Sequence, residues 1–209
     1  FILILDEKKI YYLLFCLCIF CLLLSHTFFQ NYLFMRPCEQ CVYVRLAFCI
    51  LILSFIFLLF KPIQFLGFTL AFFGIFYGVK ASLKLMQMHS ALLSNNPFLA
   101  SCSTYPRFAF NLPLDRFFPS FFAPTGICAL DAPMPPNDVN LSTLQDFFVD
   151  FYSQGWYLVP KFEFISMAEA SLLIFSFILI MIFLFFIKKL NLRAKFVSLA
   201  LFLGLILLA

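Results

Sequence analysis

Four of the eight cysteines in this 209-residue chain stand where sulfur can do chemistry. Cys38 and Cys41 form a CxxC in RPCEQCVYVR, directly before an apolar run, and Cys102 and Cys128 bound the stretch SCSTYPRFAFNLPLDRFFPSFFAPTGIC. CxxC spacing lets two sulfurs close a small ring, and a helix opening at that point stabilises a thiolate near its amino terminus, where Cys41 sits. Arg45, four residues beyond Cys41, falls one helical turn away on the same face, a permanent cation beside a reacting sulfur or an anionic acceptor. Two thiol pairs at the mouth of a membrane span can move electrons from soluble dithiols to a lipid-soluble acceptor. The competing use of CxxC is half of a structural zinc site. Such a site needs four ligands, and outside the apolar runs no second CxxC or CxxH supplies them.

The elements that must position these residues are membrane spans. Hydrophobic residues make up 64% of the chain and charged ones 11%, against roughly 25% charged in a soluble domain. The runs 10–29, 42–60, 63–85 and 167–187 are close to the ~20 residues a helix needs to cross the hydrocarbon. A fifth apolar run, 196–209, reads as the start of a fifth span. The expectation is an all-α membrane protein, a four-helix transmembrane bundle with a long extracytoplasmic loop. DEKK precedes the first run and no small-residue cleavage site follows it, so this run reads as a signal anchor. The net charge of +4 does not indicate nucleic-acid binding, because Lys8, Lys9, Lys188, Lys189, Arg193 and Lys195 lie just outside spans, where basic residues set orientation. The cluster at 188–195 is placed on the cytoplasmic side. Two spans separate the Cys38/Cys41 loop from the Cys102/Cys128 loop, so both pairs share one side, the extracytoplasmic one, where disulfides persist.

The long loop, 86–166, divides in two. Up to about residue 132 its proline-rich stretches argue against a continuous helix and make it an arm carrying the second cysteine pair. Beyond APMPPND, the residues Leu141, Leu144, Phe147, Phe148, Phe151 and Tyr152 recur at helical spacing, Ser142 and Gln145 fit a capping box, and Gly155 suits the stop. The predicted short helix is amphipathic with an acidic polar face, which leaves partner docking and an interfacial position both open.

PCEQCVYVR, His89 thirteen positions before Cys102, and LPLDRFFPSFFAPTGIC closing on Cys128 together resemble the DsbB family of membrane thiol:quinone disulfide oxidoreductases. After Cys128 the inserted 131–165 stretch, with SQGWYLVPKFEF, is similar to the DsbI branch of that family. The resemblance implies a redox bundle over 1–187 in the bacterial inner membrane, its cysteines facing the periplasm, followed by a basic cytoplasmic loop and the fifth run over 188–209. It also implies a division of labour. Cys102 is attacked by a periplasmic DsbA- or DsbL-like dithiol protein, with Cys128 as its companion. Cys128 passes the electrons to the Cys38/Cys41 disulfide at Cys38, and Cys41 delivers them to ubiquinone or menaquinone beside Arg45. His89 matches the family's quinone-side histidine. Energetics agree with a quinone sink: a DsbA-type couple lies near about −120 mV, and a glutathione-like couple some 100 mV lower would oppose the transfer by roughly 5 kcal/mol.

Two other readings stay open on the residues alone. One is a thiolate metal carrier using Cys16, Cys18 and Cys21 with the external CxxC. The other is a vitamin-K-reductase-like quinone reductase, although such enzymes usually keep their CxxC in the last span and 167–187 contains no cysteine. Cys16, Cys18, Cys21 and Cys49 lie within apolar runs, where thiols pack as small hydrophobes. No metal site is expected. Lys80 and Lys84, one turn apart in the third run, either snorkel to the interface or form a positive wall. Trp156 and Tyr157 suit an interfacial anchor.

Overall fold

The computed structural model describes residues 7–93, 103, 105–126, 132–137, 139–153, 155 and 157–209. Helix α1, Glu7–Leu23, continues without a break into a π-helical segment, Leu24–Tyr32. Then follow α2, Glu39–Leu58, and α3, Gln64–Leu93, joined by a tight turn at Lys61–Ile63. The loop carries two single-turn helices, α4 at Leu114–Phe117 and α5 at Pro119–Phe122, and the longer α6, Thr143–Phe151. A small antiparallel hairpin, β1 Tyr157–Val159 and β2 Phe164–Ser166, leads into α7, Met167–Lys189, and the chain closes with α8, Leu192–Leu208.

Four helical stretches, Glu7–Tyr32, Glu39–Leu58, Lys61–Ala91 and Met167–Lys189, are long and apolar enough to cross a membrane. They correspond to the four expected runs, with shifted ends. The first extends past residue 29, because a π-helical turn carries the polar stretch SHTFFQNY onward. The second opens at Glu39 rather than residue 42, and the third continues to Leu93, so the stretch 86–93 is helical instead of loop. α8 is also helical from Leu192, ahead of the expected 196, and packs on α3 through Thr69 Oγ1 and Ser198 Oγ, 3.0 Å apart.

The core lies where α1, α2, α3 and α7 meet. Tyr11, Leu14, Phe55, Phe68, Phe175 and Ile182 are fully buried there, while Leu173, Phe177, Ile180 and Phe183 on the outer face of α7 are exposed. Apolar residues on both faces are what a helix between protein and lipid requires. The Phe175 ring stacks on Phe48 with centroids 4.7 Å apart. Gly78 makes room for it: a Cβ there would fall 2.4 Å from Phe175 Cζ. Ser82 and Ser171 hydroxyls, 2.9 Å apart, bridge α3 and α7.

Local signals set the start of α7. Ser166 Oγ accepts the Glu169 N–H at 3.4 Å and Glu169 Oε2 accepts the Ser166 N–H at 2.8 Å, a complete capping box. At its other end Lys189 pairs with Glu7, joining the ends of α7 and α1. α6 differs from its expectation in one respect. Ser142 caps it, accepting the Gln145 N–H at 3.3 Å, but the Gln145 side chain donates to Tyr32 O at 2.6 Å instead of closing the box. Phe148 and Tyr152 pack edge-on against Phe28 and Phe29, so α6 is fastened to the end of the first span, and Leu144 and Phe147 stay exposed.

Candidate functional site

Cys38 occupies the cap of α2. Its backbone is extended, and its Sγ accepts the Cys41 N–H at 3.3 Å. The sulfur thus meets a first-turn N–H that lacks an intrahelical partner, the arrangement in which negative charge is stabilised at a helix start. The apolar run pointed to Cys41 for this role. Because α2 opens at Glu39, Cys38 is the sulfur at the cap. Cys38 is fully buried and Cys41 half-buried.

Cys41 and Arg45 face the same cavity, about 140 Å3 in volume, between the first span, α2, α3 and α7. Its walls are largely apolar, with Phe29, Phe48, Leu85 and Ile174 among them. Two arginines line it; Arg36 is exposed, whereas Arg45, only 5% exposed, is the buried one. Its Nη1 donates to Gln30 Oε1 at 2.6 Å and to Phe121 O at 3.0 Å, and its Nη2 donates to Ser25 O at 3.1 Å. The guanidinium also lies 5.4 Å from the centroid of the Phe121 ring. Its buried Nε has no hydrogen-bond partner among the described residues. Gln30 donates in turn to Ser120 O at 2.8 Å, and His26 Nδ1 lies 3.3 Å from Gln30 Oε1.

Ser25, His26 and Gln30 were not singled out from sequence. Their signal was there, as polar side chains near the end of an apolar run, where such residues cost free energy and are kept for a purpose. The π-helical segment that presents them is a rare form that is frequent at functional sites.

Cys102 and Cys128 lie outside the described residues, as does Trp156. Their neighbours converge on Cys38 from two directions. Ser103 N–H donates to Glu39 Oε2 at 3.0 Å, and the N–H groups of Thr125 and Gly126 donate to Pro37 O at 2.9 and 3.0 Å. Gly126 is required at this contact, since a Cβ would fall 2.3 Å from Arg36 O. His89 sits in the last turns of α3 with Nε2 3.2 Å from the Tyr157 hydroxyl, and it is not among the residues lining the cavity.

Of the other cysteines, Cys18 packs in the core, Cys16 is exposed and Cys21 lines the cavity. Among the described residues no group of three or more His, Cys, Asp or Glu is placed to hold a metal ion. Lys80 and Lys84 line a separate groove on α3 with Phe76 and Leu83, away from Cys41.

Residues 7–185 match the family model for disulfide bond formation protein DsbB. The chain is 40% identical over 187 residues to a DsbI of Campylobacter fetus, covering 87% of each chain. It is 42% identical over 171 residues to the protein-disulfide oxidoreductase DsbI of Salmonella typhimurium, covering 77% of this chain and 76% of the relative. An Escherichia coli DsbI is likewise 42% identical, with 77% of each covered. No solved structure matches. A family match across nearly the whole bundle, with the CxxC capping α2 and the second-pair neighbours hydrogen-bonded beside it, means that the chain belongs to the DsbB family of disulfide bond formation proteins.

Proposed function

We propose that this membrane protein-disulfide oxidoreductase takes electrons from a periplasmic DsbA- or DsbL-like dithiol protein at Cys102 and passes them from Cys128 to Cys38. Cys41 then delivers them to a membrane quinone, ubiquinone or menaquinone, in the Arg45 cavity. The thiol steps balance. The partner dithiol reduces the Cys102–Cys128 disulfide and is itself oxidised. Cys128 thiolate attacks Cys38 Sγ, and Cys41 leaves as thiolate. Cys102 thiolate attacks Cys128 Sγ, restoring the loop disulfide and releasing Cys38 as thiolate. Two electrons now reside on the Cys38/Cys41 dithiol.

The observation that carries this reading is the pair of hydrogen-bonded contacts on either side of Cys38, at Pro37 and Glu39, while Cys41 and Arg45 line the cavity. That cavity suits a quinone: its walls are largely apolar, and its buried guanidinium keeps an N–H unpartnered among the described residues. A bound quinone supplies a two-electron, two-proton sink. Arg45 would donate hydrogen bonds to its oxygens and stabilise negative charge there, and the apolar walls exclude water. His89, hydrogen-bonded to Tyr157 near the end of α3, is assigned to proton exchange at the membrane edge. The same assignment puts the cysteines on the periplasmic side of a bacterial inner membrane.

The test is a Cys128→Ser chain mixed with the oxidised partner, whose disulfide the Cys102 thiolate attacks in the reverse of the first step, one partner sulfur leaving as thiolate. It should accumulate a covalent complex through Cys102, identified by mass after non-reducing digestion. A partner linked to Cys38 would overturn the order of transfer.

A further inference from the structure

Glu39, the first residue between the two CxxC cysteines, is 8% exposed. A helix N-terminus favours a carboxylate at that position, but burying one is costly unless its oxygens are hydrogen-bonded. Both are. Oε1 accepts from the Tyr43 hydroxyl at 2.9 Å, one turn along α2, and Oε2 accepts from the Ser103 N–H at 3.0 Å. The Tyr43 hydroxyl accepts in turn from the Arg107 N–H at 2.8 Å, and its ring packs edge-on against Phe108, which is buried. A row on α2, Glu39 then Tyr43, therefore receives the loop segment that begins directly after Cys102. None of these groups lines the Arg45 cavity.

We propose that Glu39 is a positioning residue that latches the Cys102 end of the loop to the CxxC helix, keeping the Cys102 thiolate within reach of the Cys38–Cys128 mixed disulfide. The proposal rests on the relay described above. In its closing step Cys102 thiolate must attack Cys128 Sγ while Cys128 is joined to Cys38, with Cys38 leaving as thiolate and no external oxidant or reductant taking part. A free loop end would leave that mixed disulfide open to any thiol in solution. The Ser103 to Glu39 bond ties together the residues next to Cys102 and Cys38, and its acceptor is charged, which makes it stronger than a neutral bond. The loop's other end is held separately, through the Pro37 carbonyl.

That separation supplies the test. The effective concentration of one thiol toward another is read from the ratio of intramolecular disulfide to dithiol in glutathione redox buffers, on the full chain in detergent. A Cys41→Ser/Cys128→Ser chain reports on Cys102 toward Cys38, and a Cys41→Ser/Cys102→Ser chain on Cys128 toward Cys38. Adding Glu39→Gln, which conserves shape, should lower the first by about 10- to 150-fold, the range for a hydrogen bond to a charged group. It should leave the second within about twofold. Tyr43→Phe, which removes one of the carboxylate's two donors and keeps the ring, should lower the first by less. An unchanged first value in Glu39→Gln would overturn the latch, as would failure of the Cys38–Cys102 disulfide to form with Glu39 intact. Failure of the Cys38–Cys128 disulfide to form would instead remove the relay and the latch with it.

Discussion

Two rows of side chains on α2 begin two residues apart and lead to different chemistry. Cys41 and Arg45, four apart, face a largely apolar cavity between the spans. Glu39 and Tyr43, also four apart, face the loop and are held by its backbone N–H groups. The first row has a cation whose Nε is unpartnered among the described residues, and the second a carboxylate with both oxygens engaged. Helical periodicity is what separates them, since residues four apart share a face and residues two apart do not. CxxC at a helix start thus offers one sulfur at the cap, between the loop contacts, and the other to the interior. On the proposed relay, a single helix keeps thiol exchange and electron delivery to quinone apart.

Removing Cys41 should break the comparison most completely. Cys41→Ser leaves the loop-facing row intact, so disulfide exchange with the partner should persist while quinone reduction, followed by absorbance, falls to background. Arg45→Met should weaken quinone turnover by about 10- to 150-fold, the effect of one hydrogen bond to a charged group. Arg45→Lys keeps the charge without the planar fork and should fall between. Wild-type quinone KM and kcat in Arg45→Met would detach Arg45 from the cavity's chemistry. Gly126→Ala acts on the opposite side: its Cβ meets the Arg36 carbonyl. Displacing the loop should cost about 1–2 kcal/mol, a 5- to 30-fold loss in partner-driven turnover, with quinone KM unmoved. A loss confined to quinone KM would reverse that assignment.

Smaller effects sharpen the boundary between the rows. Gln30→Leu removes one of three acceptors around Arg45. It should raise quinone KM by about 2- to 12-fold, the worth of an ordinary hydrogen bond, and change partner exchange by less, through its lost bond to Ser120 O in the loop. Ser82→Ala deletes a bond between α3 and α7 that belongs to neither row. A loss of about 0.6 kcal/mol in stability, the mean for such bonds within membranes, with both half-reactions intact would show that kinetic changes elsewhere are not general loosening.

Much of the bundle was legible because its signals are local. Apolar runs of span length marked four helices, and the Cys41 to Arg45 spacing placed both on one face. What was not legible depends on distant partners. Nothing near Gln30 in the chain says that it meets Arg45 and Ser120, or that Gln145 would reach Tyr32 instead of closing its own cap. Nothing in the CxxC itself says that Glu39 meets the backbone of Ser103, 64 residues away. The hairpin at Tyr157–Ser166 was missed for a related reason, since three-residue strands carry too few alternations to stand out.

The central claim is that Cys38 belongs to the loop and Cys41 to the cavity. Non-reducing peptide mapping of Cys41→Ser and Cys38→Ser chains, each also carrying Cys102→Ser so that no loop thiol resolves the product and each oxidised with glutathione disulfide, tests it directly. The account predicts a Cys38–Cys128 disulfide in the Cys41→Ser chain and no corresponding Cys41–Cys128 disulfide in the Cys38→Ser chain. Accumulation of Cys41–Cys128, with Cys38 left as a thiol beside Cys128 in the other variant, would contradict it.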